Sequence, residues 1–337
     1  MVRVGRSRSD NHLGNSPWTL APNLATTGDH NGQKFERTCD QSQGVMIDAW
    51  VPLVGEWLHA SARGKAALEP RFWTVPPEMH VSQLILHSGF TVIWTSASTP
   101  GVAAGGTRVG RPTSLEQGIG RVMAGFYVVN VLKKVAIGAG PLDDLADMFV
   151  PCHVYTAMVA YAMLGTSRRA RETVANLLVY CAWMPLMAMA FPDLDDLMRI
   201  RSAVARFVCI ALFWAHHIAL ALVPAAVSYG AKLGRFRVPP LELGSFAQYL
   251  AFANAYIGVA LCAFALVVGR NVNYSLWPPP LPARVEGMLG GTYYRVTVGL
   301  VLSFGIGPLM RTAYYPAARA AVELLLHAKA AWRLKAP

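Results

Sequence analysis

Charged residues are scarce in this chain of 337 residues: 15% are Asp, Glu, Lys or Arg, against 54% apolar residues. Soluble domains carry about a quarter charged residues, so this shortage excludes an ordinary soluble domain and predicts a protein that crosses a membrane several times. The remaining charge is mostly positive, with 30 Lys and Arg against 19 Asp and Glu. No basic stripe with interleaved aromatic residues accompanies it, so we expect a positive-inside bias and no nucleic-acid partner.

Cysteine is sparse as well. The five cysteines form no Cys-x-x-Cys pair and show no zinc-ligand spacing. A metal site would need several ligands at matching depth, and His216-His217 is the one histidine pair in the apolar runs. We therefore expect neither a metal nor a cofactor.

The first part of the chain lacks an apolar run. Residues 1–40 are polar and rich in Asn, Gly, Ser and Thr, without the apolar region of a secretory signal. We expect a disordered leader there, followed by an amphipathic stretch over residues 45–68. The predicted division is a leader over 1–78, a membrane bundle over 79–312 and a basic cytosolic helix or tail over 313–337.

Long apolar runs, by contrast, are abundant. A backbone inside a bilayer must satisfy its own hydrogen bonds, so such runs predict an all-α, polytopic bundle with six or seven transmembrane helices. Lys133 and Lys134 make the second run the weakest, and the Gly-rich stretch 100–120 predicts a loop. The runs lie near residues 80–98, 121–140, 148–165, 174–191, 203–228, 246–269 and 293–312.

Basic residues concentrate in alternate loops when seven spans are counted. One set of loops holds Arg168, Arg169 and Lys232, and the C-terminal tail falls on the same side. The opposite side carries Asp143 and Asp144. This asymmetry predicts a cytosolic tail.

The third apolar run opens with Pro151-Cys152-His153, and ionisable groups in a membrane helix generally have a functional reason to be there. Proline favours the first turn of a helix. If the helix starts at Pro151, the thiol lies among free backbone amides at the positive end of the helix dipole, and both favour the thiolate. The alternative is a small residue at a tight helix contact.

His216 and His217 lie within the fifth apolar run. Adjacent residues of a helix point about 100 degrees apart, so both cannot face one partner. We expect one imidazole to face a site and the other to meet a backbone carbonyl, a headgroup or water. If the two helices are neighbours, an imidazole can act as the base for the thiol of Cys152. A histidine that is hydrogen-bonded in the bundle core is the alternative for either one alone.

Two further clusters carry polar groups. Asn273 and Tyr274, followed by Arg295, can contact a lipid headgroup, and the guanidinium can pair with a phosphate. A rigid interhelical loop with an aromatic anchor is the alternative. Phe191-Pro192-Asp193 ends a span, and we expect Asp193 to cap the next helix.

Taken in order, these clusters resemble the transmembrane protein 164 family, which is related to the androgen-induced gene family of membrane hydrolases. The resemblance covers roughly residues 145–312. The resembling pieces are Pro151-Cys152-His153-Val154, Phe191-Pro192-Asp193, the aromatic run with His217 and Pro224, Asn271-Val272-Asn273-Tyr274 through Pro278, and Tyr294-Arg295.

The resemblance implies a cysteine acyltransferase of phospholipid remodelling, with no cofactor. Cys152 would accept an acyl chain from a phospholipid as a thioester and pass it to a lysophospholipid of the ether-linked phosphatidylethanolamine class. His217 would be the general base, with His216 as the alternative. Such an enzyme is expected in the endoplasmic reticulum, as a multi-pass membrane protein.

Other functions stay open at this point. Related hydrolases pair a Thr with a His, so Thr156, one turn beyond Cys152, could be the nucleophile of a lipid ester hydrolase. Asn254, Asn273 or Tyr274 could donate to an oxyanion. A transporter or receptor bundle with a histidine switch is a third hypothesis, although no internal repeat supports it.

Overall fold

The structure is a computed structural model that describes residues 77–98, 113–137, 146–192, 194–198, 200–233, 238, 241–268 and 294–335. This part of the chain is built of helices and contains no strand, which confirms the predicted all-α class. The predicted leader as far as residue 76, the amphipathic stretch and the loop with Asn273 and Tyr274 lie outside the described residues, as does Asp193 with its predicted cap. Residues 77 and 78, which were predicted to end the leader, already belong to a helix.

Each of the seven predicted apolar runs contains helix. The helices are α1 Pro77–Ala97, α2 Ser114–Ile137, α3 Pro151–Leu164, α4 Arg168–Tyr180, α5 Trp183–Ala190, α6 Asp195–Met198, α7 Ala203–Ala221, α8 Val223–Lys232, α9 Leu243–Ala253, α10 Cys262–Val268, α11 Tyr294–Leu300, α12 Gly307–Leu309 and α13 Tyr315–Lys335. A short 3-10 helix, Ala146–Phe149, precedes α3. π-helical segments, Asn254–Leu261, Val301–Ile306 and Met310–Tyr314, join α9 to α10 and α11 through α12 to α13.

Four continuous helical segments are long and apolar enough to cross a membrane. They are Arg169–Ala190, Ala203–Lys232, Leu243–Val268 and Tyr294–Trp332. The helices α1, α2 and α3 account for the other three predicted runs, so the predicted count of six or seven spans is supported only roughly. Large apolar side chains point outward on these helices; Val204 and Val267 are each 75% exposed. Such a surface suits contact with lipid chains.

The second helix corrects the prediction of a loop over residues 100–120, because α2 begins at Ser114. Thr113 and Glu116 form a capping box: the Glu116 amide donates to the Thr113 hydroxyl at 3.2 Å, and the Thr113 amide donates to the Glu116 carboxylate at 2.7 Å. These bonds satisfy amides that the helix itself leaves unpaired. At Gly120 the helix α2 approaches α3 so closely that a side chain would collide with Leu164. This close contact explains a glycine inside the helix.

The core gathers around α3, which packs against α2, α4, α5 and α7. Tyr155 of α3 is fully buried, and its hydroxyl donates to the Leu178 carbonyl of α4 at 2.9 Å. At the other end of α3, Arg171 donates to the Ala162 carbonyl at 2.6 Å and to the Glu116 carboxylate at 2.8 Å. These bonds fix the position of α3 relative to α2 and α4, and with it the side chains at the start of α3.

Candidate active site at the start of helix α3

The thiol of Cys152 lies in the first turn of α3. The helix begins at Pro151, the start on which the sequence argument for the thiol depended, and Val150 precedes it without a side-chain cap. The backbone amides of Cys152 and His153 therefore lie beside the thiol. Cys152 is a free cysteine and is only partly buried. The His153 amide donates to the Val150 carbonyl at 3.0 Å. A partly exposed cysteine at the positive end of a helix is a suitable place for a nucleophile.

Thr156 connects this turn to α7. Its hydroxyl donates to the Cys152 carbonyl at 2.7 Å and lies 2.7 Å from Nε2 of His216. The Thr156 hydroxyl has one proton, which it donates to the Cys152 carbonyl. In the contact with His216 the hydroxyl oxygen therefore accepts, and Nε2 of His216 carries the proton. Thr156 is fully buried. Its oxygen is therefore both hydrogen-bonded and enclosed.

His216 is held from three sides by side chains of α2, α3 and α7. Its ring stacks on Phe126 with centroids 5.1 Å apart and on His153 with centroids 5.9 Å apart. The His217 ring lies 5.2 Å away. His153 is itself buried, and its Nδ1 has no hydrogen-bond partner. The imidazoles of His153, His216 and His217 thus lie next to one another.

His217 is oriented differently, as the angle between adjacent helical residues requires. Its Nδ1 lies 2.7 Å from the Phe213 carbonyl oxygen, and its ring packs on the Phe213 ring at 4.1 Å. A carbonyl oxygen can only accept, so Nδ1 carries the proton and Nε2 of the neutral ring presents a lone pair. Nε2 is buried and has no partner. Its hydrogen bond to the backbone therefore prepares His217 to accept a proton.

Two lysines at the end of α2 complete the electrostatics of this site. Lys133 and Lys134 lie close enough to interact electrostatically with both Cys152 and His153. Within the described residues, no hydrogen bond joins the Cys152 sulfur to an imidazole, and no three His, Cys, Asp or Glu side chains are arranged to hold a metal ion. The lysines were recognised in the sequence only as an interruption of an apolar run.

Arg295 lies apart from the three histidines, at the start of α11. It is buried and lines a cavity of about 90 Å³ together with His87, Asn254 and Pro151. Pro151 borders both the cavity and Cys152, so the cavity adjoins the start of α3. Sequence reasoning missed His87, although an ionisable residue within an apolar run was the signal that could have found it.

Asn254 was a candidate oxyanion donor, and its amide group has other partners. Its Nδ2 donates to the Leu250 carbonyl at 2.8 Å, while its Oδ1 lies 2.8 Å from Nδ1 of His87. The structure therefore places Asn254 beside His87 and Arg295. Cys152, Thr156 and the two predicted histidines form the other group.

Comparison with known proteins gives one family. The TMEM164 family model matches residues 81–309, more than half of the chain and the part that holds both groups of residues. A curated relative, the "Transmembrane protein 164 homolog" of Dictyostelium discoideum, is 26% identical over 170 residues, which cover 48% of this chain and 55% of that protein. The match thus spans about half the length of that relative. No solved structure matches the chain.

Proposed function

The chain belongs to the TMEM164 family, and we propose that this membrane protein is a phospholipid acyltransferase that works through a thioester on Cys152. The observation that carries the proposal is that two neighbouring nucleophiles differ in exposure and in hydrogen bonding. Cys152 is partly accessible at the start of α3, whereas Thr156, one turn further, is 0% exposed and has its hydroxyl engaged twice. A lipid carbonyl can therefore approach the thiol and not the hydroxyl.

The first half of the reaction transfers the acyl chain to the enzyme. The Cys152 sulfur attacks the ester carbonyl of the donor phospholipid, a carbon–sulfur bond forms and the carbon–oxygen bond to glycerol breaks. The thiol proton passes to Nε2 of His217 and then to the departing glycerol oxygen. The unpartnered lone pair of Nε2 supports this role for His217. His216, fixed by Thr156 and Phe126, then acts as a positioning residue.

The charge that develops on the carbonyl oxygen needs donors. The amide of Cys152 at the start of α3 is suitable, because it is fixed in direction before the reaction. Lys133 and Lys134 add positive charge to the same region. Cations at the end of a membrane helix favour a position near the headgroups, which is where the ester carbonyls of phospholipids lie.

The second half passes the acyl chain to a lysophospholipid, for which we propose the ether-linked phosphatidylethanolamine class. A site among membrane helices limits hydrolysis of the thioester by water and admits lipids laterally. Remodelling of this class of lipid places the protein in the endoplasmic reticulum under the same proposal.

The test uses vesicles that contain the purified full-length protein and a phospholipid with a clickable acyl chain. We expect the wild type to acquire an adduct that neutral hydroxylamine removes, and Cys152→Ala to acquire none. His217→Asn should form the adduct at least about a hundredfold more slowly, because general bases contribute at least that factor. Cys209→Ala, a matched change of another free cysteine, should behave as the wild type. Equal labelling of Cys152→Ala and the wild type would refute the thioester.

One contact favours a second candidate function, a lipid ester hydrolase with Thr156 as nucleophile. The 2.7 Å separation of the Thr156 hydroxyl from Nε2 of His216 is within the range of a nucleophile and its base. Activation needs the other tautomer of His216, in which Nδ1 carries the proton, together with a rotation of the hydroxyl proton from the Cys152 carbonyl to the lone pair of Nε2. Cys152→Ala protein that still releases fatty acid from phospholipid would support this function instead.

A further inference from the structure

We propose that the cavity between α1, the π-helical segment Asn254–Leu261 and α11 is the acceptor subsite, in which His87 takes the proton of the lysophospholipid hydroxyl and Arg295 holds its phosphate. This inference rests on the proposed function, because it assigns the second half of that reaction to residues separate from the first.

The orientation of the His87 ring is fixed by Asn254. Nδ2 of Asn254 donates to the Leu250 carbonyl at 2.8 Å, so the other end of the amide, Oδ1, faces His87. Oδ1 lies 2.8 Å from Nδ1 of His87, and since an amide oxygen only accepts, Nδ1 carries the proton. Nε2 of the neutral ring is then a lone pair in a cavity-lining side chain. An amide that orients a histidine for proton transfer is a known arrangement in cysteine enzymes.

Gly258 leaves the space that this ring fills, because a Cβ atom there would overlap the His87 ring. A Cβ atom at Gly299 would make only an ordinary contact, 3.6 Å from Cε1 of His87. Gly258 belongs to the π-helical segment that also contains Asn254. Such segments are uncommon and are frequent at functional sites. The helix geometry and Gly258 together hold one imidazole at the cavity wall.

Arg295 supplies the charge that an anionic ligand would need. One terminal nitrogen donates to the Gly258 carbonyl at 3.0 Å, and the other lies 3.2 Å from Nδ1 of His80. Both of these partners accept without negative charge, and the Cys262 sulfur is a further hydrogen-bond partner. Within the described residues no carboxylate bonds to this guanidinium. A buried cation without an anion is costly in a membrane protein. A phosphate in the adjoining cavity of about 90 Å³ would neutralise it and accept guanidinium hydrogen bonds.

The position of the cavity suits the second half of the reaction. Pro151, the residue before Cys152, lines the cavity together with His87 and Arg295. The acceptor hydroxyl oxygen attacks the thioester carbonyl, its proton passes to Nε2 of His87, the new ester carbon–oxygen bond forms and the carbon–sulfur bond breaks. The proton then returns from His87 to the departing Cys152 thiolate, so the free enzyme is regenerated.

The experiment separates the two half-reactions. Full-length protein in vesicles is acylated from a clickable phospholipid, and a lysophospholipid acceptor is then added; acylation and transfer are timed separately. We expect His87→Gln to acylate at the wild-type rate, to transfer at least about a hundredfold more slowly, and hence to accumulate the thioester. Normal acylation also shows that the variant is folded. Transfer at the wild-type rate, or an equal loss in both steps, would overturn the inference.

Two further variants keep the test decisive if His87→Gln is unstable. Asn254→Ala frees the His87 ring, so transfer should fall about tenfold while acylation is unchanged; an equal fall in both steps counts against the proposal.

Arg295→Gln should raise KM for a lysophospholipid and leave KM unchanged for a monoacylglycerol, which has no phosphate. The same KM change for both acceptors would remove Arg295 from the subsite. If the wild type itself forms no adduct, the proposed function fails; if only His87→Gln behaves as the wild type, this inference alone fails.

Discussion

At the scale of single residues, the hydroxyl of Thr156 separates the two candidate reactions. In the thioester mechanism this hydroxyl only positions His216, since the proton goes to His217. In the hydrolase mechanism it is the attacking group. A variant that removes the hydroxyl and keeps the shape of the side chain therefore distinguishes the two.

We predict that Thr156→Val slows formation of the acyl adduct by about tenfold or less, which is smaller than the contribution of a general base. Thr156→Ser, which restores the hydroxyl, should recover most of the rate. The measurement is the initial rate of hydroxylamine-sensitive labelling. Complete loss of lipid turnover in Thr156→Val, with turnover retained in Cys152→Ala, would establish the hydroxyl as the nucleophile.

The sequence could indicate Cys152, His216 and His217 because thiols and imidazoles are rare in apolar runs. It could not show how the two histidines divide their contacts. That division depends on Thr156 of another helix for His216 and on the Phe213 carbonyl for His217. The Asn254–His87 pair joins residues far apart in the chain, so no local sequence pattern predicts it.

At the scale of helices, a buried ion pair connects α4 to α2. Arg171 and Glu116 lie 2.8 Å apart, with side chains only 1% and 6% exposed. Arg171 also bonds to the end of α3, so the pair secures three helices. Removing Glu116 takes away the carboxylate that bonds to the buried Arg171 guanidinium.

We predict that Glu116→Gln lowers the free energy of unfolding by about 3 kcal/mol. The check is thermal unfolding of the protein in detergent. Glu323→Gln is the matched control, since Glu323 pairs with Arg319 at 3.1 Å on an exposed surface and should leave the melting temperature unchanged. Equal melting temperatures for all three proteins would show that the buried pair contributes nothing.

The contact between α2 and α3 depends on a glycine. A Cβ at Gly120 would lie 2.6 Å from Cγ of Leu164 and 3.1 Å from Cβ of Met163, whereas one at Gly125 would meet nothing within 4 Å. We predict that Gly120→Ala destabilises the protein by about 1–3 kcal/mol through overpacking. Gly125→Ala should be neutral or stabilising by up to about 1 kcal/mol. Melting temperatures in detergent compare the two, and a gain at Gly120 would contradict the close packing.

The existence of the helices was predictable, and their boundaries were less so. Long apolar runs in a bilayer allow little else than helix, so every predicted run contains one. The start of α2 was misread because glycines normally mark loops. The Thr113–Glu116 capping box was the local signal that outweighed them.

At the scale of the whole molecule, a membrane environment explains the composition of the chain. Low charge and outward apolar side chains belong to a protein with lipid as solvent. The family match over residues 81–309 includes both groups of candidate site residues. In our account the two groups act in sequence, and both adjoin the first turn of α3.

The central claim is the thioester, and peptide-level mass spectrometry tests it most directly. Wild-type protein is incubated in vesicles with a donor phospholipid, digested with and without neutral hydroxylamine, and searched for a peptide that carries one acyl group. Our account predicts that the acyl group lies on Cys152 and that hydroxylamine removes it. An acyl group on Thr156 that resists hydroxylamine, or donor consumption without any acylated peptide, would contradict it.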